Sequence, residues 1–507
     1  MDSLTATRPA PRPGPAAEPI FATGEPSTRW VAAIAAGTVL ARLPFLTRPM
    51  GSDEGGLLLI ASQWRPGPSL YGAYWVDRPP LLLDVFVLAD RLGGLIALRV
   101  IGLALVVASV LISARIARLV GGSPRAASLT AAIFLVNPLF GVHNINGELI
   151  ATPFVLGAIA LAVGAARSRA GAMVVAAGVA GAAAALIKQN EVDGLLFIAV
   201  AAATFLATRR YRGWQVVGLA ATGAGLATAV VLLQASLSGT GPRALWEPVV
   251  SFRLDAARLI GSSAAATTTD RLHGVLLALL ASGAPLIAVT LLRRLARAPA
   301  PGALDLRWPC LAVLGWEAFS VAGGGSYWLH YLICLVPGLV LVTCVVTATP
   351  RGARLAPLTI PLVVCCLSAA TAIAVVLAQP GPSRTDPVIT WLREHRVAGQ
   401  TGVVAFGHPD YLKASGLTSP YEELWSLPVR VRDPELRQLG AVLESSGRPD
   451  WVITNGSGSL SGWGIDAHRA QTVFDSHYRL AADLGIRRIY LDRNDVLAIP
   501  SKHQEPS

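Results

Sequence analysis

The chain has 507 residues, of which 53% are apolar and 14% charged, with a mean hydropathy of +0.53 and a formal net charge of +11. Soluble proteins carry about a quarter charged residues, so these figures exclude a string of water-soluble domains, and they exclude disorder over most of the length. The five cysteines lie in apolar runs without metal-ligand spacing and read as small buried hydrophobes, not a disulfide framework or zinc site.

Residues 1–29, rich in Pro, Ala and Thr, read as a disordered cytoplasmic tail. Apolar runs of membrane-crossing length, about 17–25 residues with some slack, follow at 30–46, 96–114, 126–142, 148–166, 171–187, 191–208, 214–236, 273–292, 308–323, 328–347 and 356–378. That predicts a polytopic α-helical membrane protein with eleven spans. The segments 1–29, 115–125, 167–170, 209–213, 293–307 and 350–355 together hold 17 arginines and four acids. Placed in the cytoplasm they satisfy the positive-inside rule. The basic charge is therefore a topology signal and not a footprint for nucleic acid. The amino terminus is expected inside a plasma membrane, and residues 379–507 outside.

Pro80–Leu92 is too short and too charged to span, carrying Asp84, Asp90 and Arg91. It reads as an amphipathic helix on the outer surface, within one long outer loop, 47–95. A second outer loop, 237–272, ends in a polar stretch read as a flap. Beyond residue 378 the composition turns soluble. Helices are expected at 386–396 and 433–446, and strands at 402–407, 450–454 and 487–492, giving a small α/β domain. It has no phosphate loop or nucleophile motif. Its expected role is to cover the membrane site and help hold an acceptor.

Chemistry concentrates in the first outer loop. Asp53 and Glu54 stand together in PMGSDEGGLLLIASQW, and Asp77-Arg78-Pro79-Pro80 follows about 24 residues later. An acid pair at a membrane surface serves as a general base or holds a cation. An arginine heading a surface helix suits a lipid phosphate. The plainer readings are a solvated turn for the acid pair and a salt bridge to Asp77 for Arg78. Lys188 reads either as functional or as a snorkelling partner of Glu191. Arg99, at the outer start of its span, reads as snorkelling.

An acid pair after the first span, a Tyr-containing stretch and then a basic residue with Pro-Pro-Leu resembles the GT-C glycosyltransferases. Among them the closest likeness is to bacterial relatives of protein O-mannosyltransferases and lipid A aminoarabinose transferases. The likeness extends to Glu148 in NGELIATPF, Lys188 in LIKQN and the YWLHYLICLVP segment with His330 and Tyr331. It covers residues 30–378, and less specifically the outer domain. Family members most often place Lys or His where this chain has Arg78, and Arg binds phosphate bidentately.

The resemblance implies an inverting hexosyl- or pentosyltransferase that moves a sugar from a polyprenyl-phosphate carrier to a glycan, lipid or protein acceptor. Asp53 would be the catalytic base, with Glu54 orienting it or the acceptor. Arg78 and Lys188 would neutralise the leaving phosphate, His330 and Tyr331 would touch the donor, and Glu148 would be a secondary acid. The carboxylates permit a divalent cation (Mg or Mn) or none. The competing readings are a transporter or flippase for a lipid-linked sugar, and a non-catalytic scaffold.

Overall fold

The computed structural model describes residues 26–64, 72–207, 213–262, 266–297, 305–348, 356–378 and 386–495. The expected tail up to residue 25 and several expected cytoplasmic arginines (Arg209, Arg210, Arg212, Arg351, Arg354) lie outside these residues.

The first apolar run folds as α1 (Pro26–Arg42), starting four residues before the expected boundary at Trp30. The first loop expected outside contains α2 (Ser52–Ser62) and α3 (Pro80–Arg91). Then follow α4 (Leu95–Val120), α5 (Pro124–Val136), α6 (Gly147–Ser168), α7 (Gly171–Ile187), α8 (Asp193–Ala207) and α9 (Gly213–Leu237). The second outer loop is helical too, with α10 (Pro242–Trp246) and α11 (Phe252–Ser262). The bundle is completed by α12 (Ala266–Ala281), α13 (Ala284–Arg297), α14 (Arg307–Gly323), α15 (Val336–Thr347) and α16 (Ala356–Ala378). A tight helical segment, Leu329–Leu335, leads into α15, whose first turn is capped by the buried Glu317 of α14, accepting from the Gly338 N–H at 2.7 Å.

All eleven expected runs fall on helices. Five of these helices are long and apolar enough to cross a membrane alone, and a bent pair makes a sixth; α5, α7 and most of α8 are shorter apolar helices. The run expected as a span over 273–292 is carried by two helices, α12 and α13, bent by 62°. Local chemistry explains the bend. Gly283 adopts φ +75°, a left-handed turn favourable to glycine, and Pro285 follows. Proline lacks the N–H needed to continue the helix and clashes with the carbonyl four residues back.

Direction along the bundle is consistent from helix to helix. α4 runs from Arg99 to Arg115 and Arg118, α6 from Glu148 to Arg167, and α7 from Gly171 to its last residue beside Lys188. The acidic and cationic residues of the outer loops therefore gather at one end, and the arginine-rich turns lie at the other.

α3 is the expected amphipathic helix. It buries Leu82, Leu83, Phe86 and Ala89 and leaves Leu88 half exposed. Its two acids hold neighbours: Asp84 accepts from Gln234 of α9 at 3.1 Å, and Asp90 pairs with Lys413 at 3.0 Å. α2, by contrast, is apolar on all sides after its first turn, with Leu57–Ala61 buried. A helix apolar all round must be covered all round. Here the bundle covers one side and the outer domain the other.

That outer domain contains α17 (Pro387–His395), α18 (Pro409–Ser415), α19 (Ser426–Arg432), α20 (Arg437–Glu444) and α21 (His468–His477). Its sheet comprises β1 (Gly402–Val404), β2 (Trp451–Asn455), β3 (Tyr478–Asp483) and β4 (Arg487–Asp492), in the order β1-β2-β4-β3. β1 and β2 pair in parallel, and the other two ladders are antiparallel. The three expected strands and two expected helices are present. β3 was not foreseen, because YRLAAD follows α21 directly with no turn signal between them.

The docking of this domain onto α2 depends on two glycines. A Cβ on Gly55 would strike the backbone of Asp410, and one on Gly56 would strike the Trp425 ring. The DEGG sequence thus places an acid pair and a flat contact surface side by side within about one turn of one helix.

Candidate active site

Asp53 and Glu54 are chain neighbours with different surroundings. Gly51 caps α2, and the Glu54 carboxylate reaches back to its N–H at 3.0 Å. The same carboxylate accepts from the Ile145 N–H at 2.9 Å and pairs with Arg99, Nη2 to Oε2 at 2.8 Å. Glu54 is fully buried and borders neither of the outer cavities described below. Arg99 is buried as well and also donates to the carbonyls of Phe45, Arg48 and Pro49. It does not snorkel to the surface; it ties the chain between α1 and α2 to the top of α4.

Asp53, one residue earlier in that turn, makes no ion pair or side-chain hydrogen bond among the described residues. It lines a cavity of about 570 Å³ together with Arg78, His143, Asn144, Arg253, Arg271, His330, His408 and Trp463. A larger cavity of about 850 Å³ is lined by Lys188, Gln189, Ile260, Leu272, Trp316, Phe319, Tyr327 and Cys334. The two share Arg78, Arg253, Ser326, Tyr331 and Leu427. One cavity is therefore largely apolar, the other polar and acid-bearing, and cations stand where they meet.

The cations are held by a single carboxylate. Asp77 pairs with Arg78 at 2.6 Å and with Arg253 of α11 at 2.7 Å. Burial works to raise the Asp77 carboxyl, but Arg253 and Arg78 overcome it and hold it below the usual carboxylate range. Burial likewise works against the Arg78 charge, and Asp77, then Asp53, outweigh it, so the guanidinium stays ionised. One negative charge between two positive ones leaves a surplus cation at the junction. The salt bridge expected as the plainer reading of Arg78 is present, and it aims the guanidinium instead of neutralising it.

Behind this wall the remaining expected residues form one group. Lys188, just past α7, pairs with Glu148 in the first turn of α6, and not with the nearby Glu191. Its ammonium lies 4.7 Å from the Tyr331 ring centroid, and His330 Nε2 lies 3.7 Å from Glu148 Oε1. The structure thus gathers Glu148, Lys188, His330 and Tyr331 against the junction that carries Arg78. Arg253, Arg271 and the outer-domain residues His408 and Trp463 were not foreseen. A signal existed for the arginines, since positive charges in loops assigned outside run against the positive-inside rule.

Among the described residues no group of three His, Cys, Asp or Glu side chains could hold a metal ion. Glu54 faces Arg99 and Glu148 faces Lys188, so these acids do not converge with Asp53 on a shared cation, and no step below is routed through one.

The fold has solved counterparts. ArnT from Cupriavidus metallidurans bound to undecaprenyl phosphate superposes with a TM-score of 0.60 at 14% identity, covering 91% of this chain and 98% of that one. Its apo state gives 0.60 at 12% identity, covering 92% and 98%. The Archaeoglobus fulgidus oligosaccharyltransferase in complex with Zn and sulfate gives 0.55 at 14% identity, covering 92% and 74%. The chain shares the overall membrane fold of these proteins. No family model matches the sequence, and no curated protein does either. In this fold the acid-bearing turn after the first helix and the Arg-Pro-Pro turn before α3 both line the smaller cavity, and Arg78 lines the larger one as well.

Proposed function

We propose that this chain is an inverting glycosyltransferase of the outer face of the plasma membrane, moving a sugar from a polyprenyl-phosphate carrier to an acceptor hydroxyl. The observation that carries the reading is the junction. An apolar cavity fit for an isoprenoid chain and a polar cavity containing Asp53 meet at Arg78 and Arg253. The undecaprenyl phosphate bound in the similarly folded ArnT supports the same class of carrier here.

In this reading the polyprenyl chain lies in the larger cavity, with its phosphate against Arg78, Arg253 and Lys188. The acceptor enters the smaller cavity. Asp53 takes the acceptor proton as the oxygen attacks the anomeric carbon. The bond from that carbon to the phosphate oxygen breaks on the opposite face, so configuration inverts. The departing polyprenyl phosphate gains a negative charge, and the surplus cation at the junction stabilises it in a poorly hydrated site. Glu54 is a positioning residue that fixes the first turn of α2. The segments fit three units, with a cytoplasmic tail to residue 29, an eleven-span catalytic part over 30–378, and an outer domain over 379–507 that completes the acceptor side. The arginine-rich helix ends face the cytoplasm.

Purified protein given a radiolabelled polyprenyl-phosphate sugar and a membrane extract is expected to transfer label. Asp53→Asn is expected to abolish transfer without unfolding the protein. Transfer by Asp53→Asn at the wild-type rate would overturn the assignment of the base.

A further inference from the structure

The smaller cavity has walls from two parts of the chain. The bundle contributes Arg271 of α12 and Trp328, and the outer domain contributes His408, Trp425 and Trp463. The Arg271 guanidinium carbon lies 4.1 Å from the Trp328 ring centroid and 5.8 Å from that of Trp463. Arg430 covers Trp463 at 4.1 Å. Four side chains from four segments thus build an alternating ladder, ring–cation–ring–cation, from the bundle to the outer domain.

Two features separate this ladder from a simple staple. The first is charge. Arg78 and Arg253 share Asp77, whereas Arg271 makes no ion pair among the described residues and meets only rings. Cation–π contacts return less than withdrawing an ion from water costs. A partly buried guanidinium without a carboxylate therefore faces the same cavity as Asp53.

The second is strain. Trp463 has φ +51°, a left-handed backbone conformation that strains a bulky L-residue. Among the described residues its indole N–H is buried without an acceptor, an unmet donor that a ligand oxygen would satisfy.

The chemistry of a matching ligand follows. Indole faces carry negative π-density and accept the polarised C–H face of a sugar ring. A guanidinium grips a carboxylate or phosphate through two parallel N–H bonds. We propose that the Trp328–Arg271–Trp463–Arg430 ladder is the acceptor subsite, and that it selects a saccharide bearing an anionic substituent whose neighbouring ring hydroxyl is presented to Asp53. This deepens the glycosyltransferase reading and rests on it for the reaction, though not for binding.

The test uses full-length protein in lipid nanodiscs and two matched probe pairs, methyl glucuronide against methyl glucoside and glucose 6-phosphate against glucose. Binding is followed by titration calorimetry. The charged member of at least one pair is expected to bind about tenfold or more tightly, and the pair that responds distinguishes a carboxylate from a phosphate. Arg271→Gln is expected to erase the preference and Arg271→Lys to keep part of it, which separates loss of charge from loss of fold. Equal binding of charged and neutral sugars, no binding of any probe at tens of millimolar, or an unchanged preference in Arg271→Gln overturns the proposal.

Transfer assays keep the two ideas apart. A charge preference in a protein that transfers no sugar retains the subsite and rejects the transferase. Transfer to neutral acceptors that is indifferent to Arg271→Gln retains the transferase and rejects the subsite.

Discussion

Arg99 donates to both oxygens of the Glu54 carboxylate, at 2.8 and 3.3 Å, and both residues are buried. Removing one partner of such a pair leaves an uncompensated buried charge, at a cost of about 3–5 kcal/mol. Glu54→Ala is therefore expected to lower the melting temperature strongly, whereas Asp53→Asn is expected to leave it nearly unchanged. Thermal unfolding of the two variants side by side measures the difference. Equal melting temperatures would contradict the division of labour drawn between these neighbours.

Arg78 is expected to act on donor affinity. A charge-assisted hydrogen bond to phosphate contributes about 1.5–3 kcal/mol, so Arg78→Gln should weaken undecaprenyl phosphate binding roughly 10- to 100-fold. Arg78→Lys should restore part of it, because the charge remains while the bidentate geometry is lost. Binding to the protein in nanodiscs, with the fold checked by melting, reads this out.

The outer domain joins the site through Arg432. This residue pairs with Glu423 at 2.6 Å, Glu422 at 3.1 Å and Glu247 at 3.2 Å, and stacks over Trp75, two residues before Asp77. Burial pushes the Glu423 carboxyl up from an ordinary 4.5 to about 7 despite Arg432. A raised folded-state value means stability that is complete below the ordinary value and is lost as pH rises through about 7. The loss amounts to roughly 3 kcal/mol. Glu423→Gln should flatten the stability profile between about pH 4.5 and pH 7. Asp77 has the opposite sign. Its depressed value means that the Arg78–Asp77–Arg253 cluster contributes fully above the ordinary carboxylate value and fails only in stronger acid. Melting curves across pH for wild type and Glu423→Gln check both statements.

Docking of the outer domain should depend on the glycines of α2. Gly55→Ala places a methyl group against the Asp410 backbone, which has no side-chain freedom to yield. Faster amide exchange in α18 is expected, together with loss of transfer. Unaltered exchange there would contradict the close packing of α2 and α18.

The apolar helices were legible because a membrane helix needs its own apolar run, and the split of charge between the two ends of the bundle because arginines mark the turns at one end. The outer-domain strands were legible where turn residues bounded them. Long-range partners were not. Arg99 stands where a snorkelling arginine stands, and only the fold brings Glu54 to it from 45 residues away. Lys188 has an acid three residues on, yet its partner is 40 residues back, because α6 and α7 pack side by side. The α2 helix was hidden in an outer loop because its 11 residues are too few to cross a membrane. The ladder draws on four segments between residues 271 and 463, a spacing that no local pattern displays.

In the proposed reaction Asp53 removes the acceptor proton within the smaller cavity. Single-turnover transfer from a radiolabelled polyprenyl-phosphate sugar, compared between wild type and Asp53→Asn at matched donor binding, tests it most directly. Undecaprenyl phosphate affinity is expected to stay unchanged and the rate to fall by about 100-fold or more, within the range general base catalysis supplies. Transfer by Asp53→Asn at the wild-type rate would contradict it.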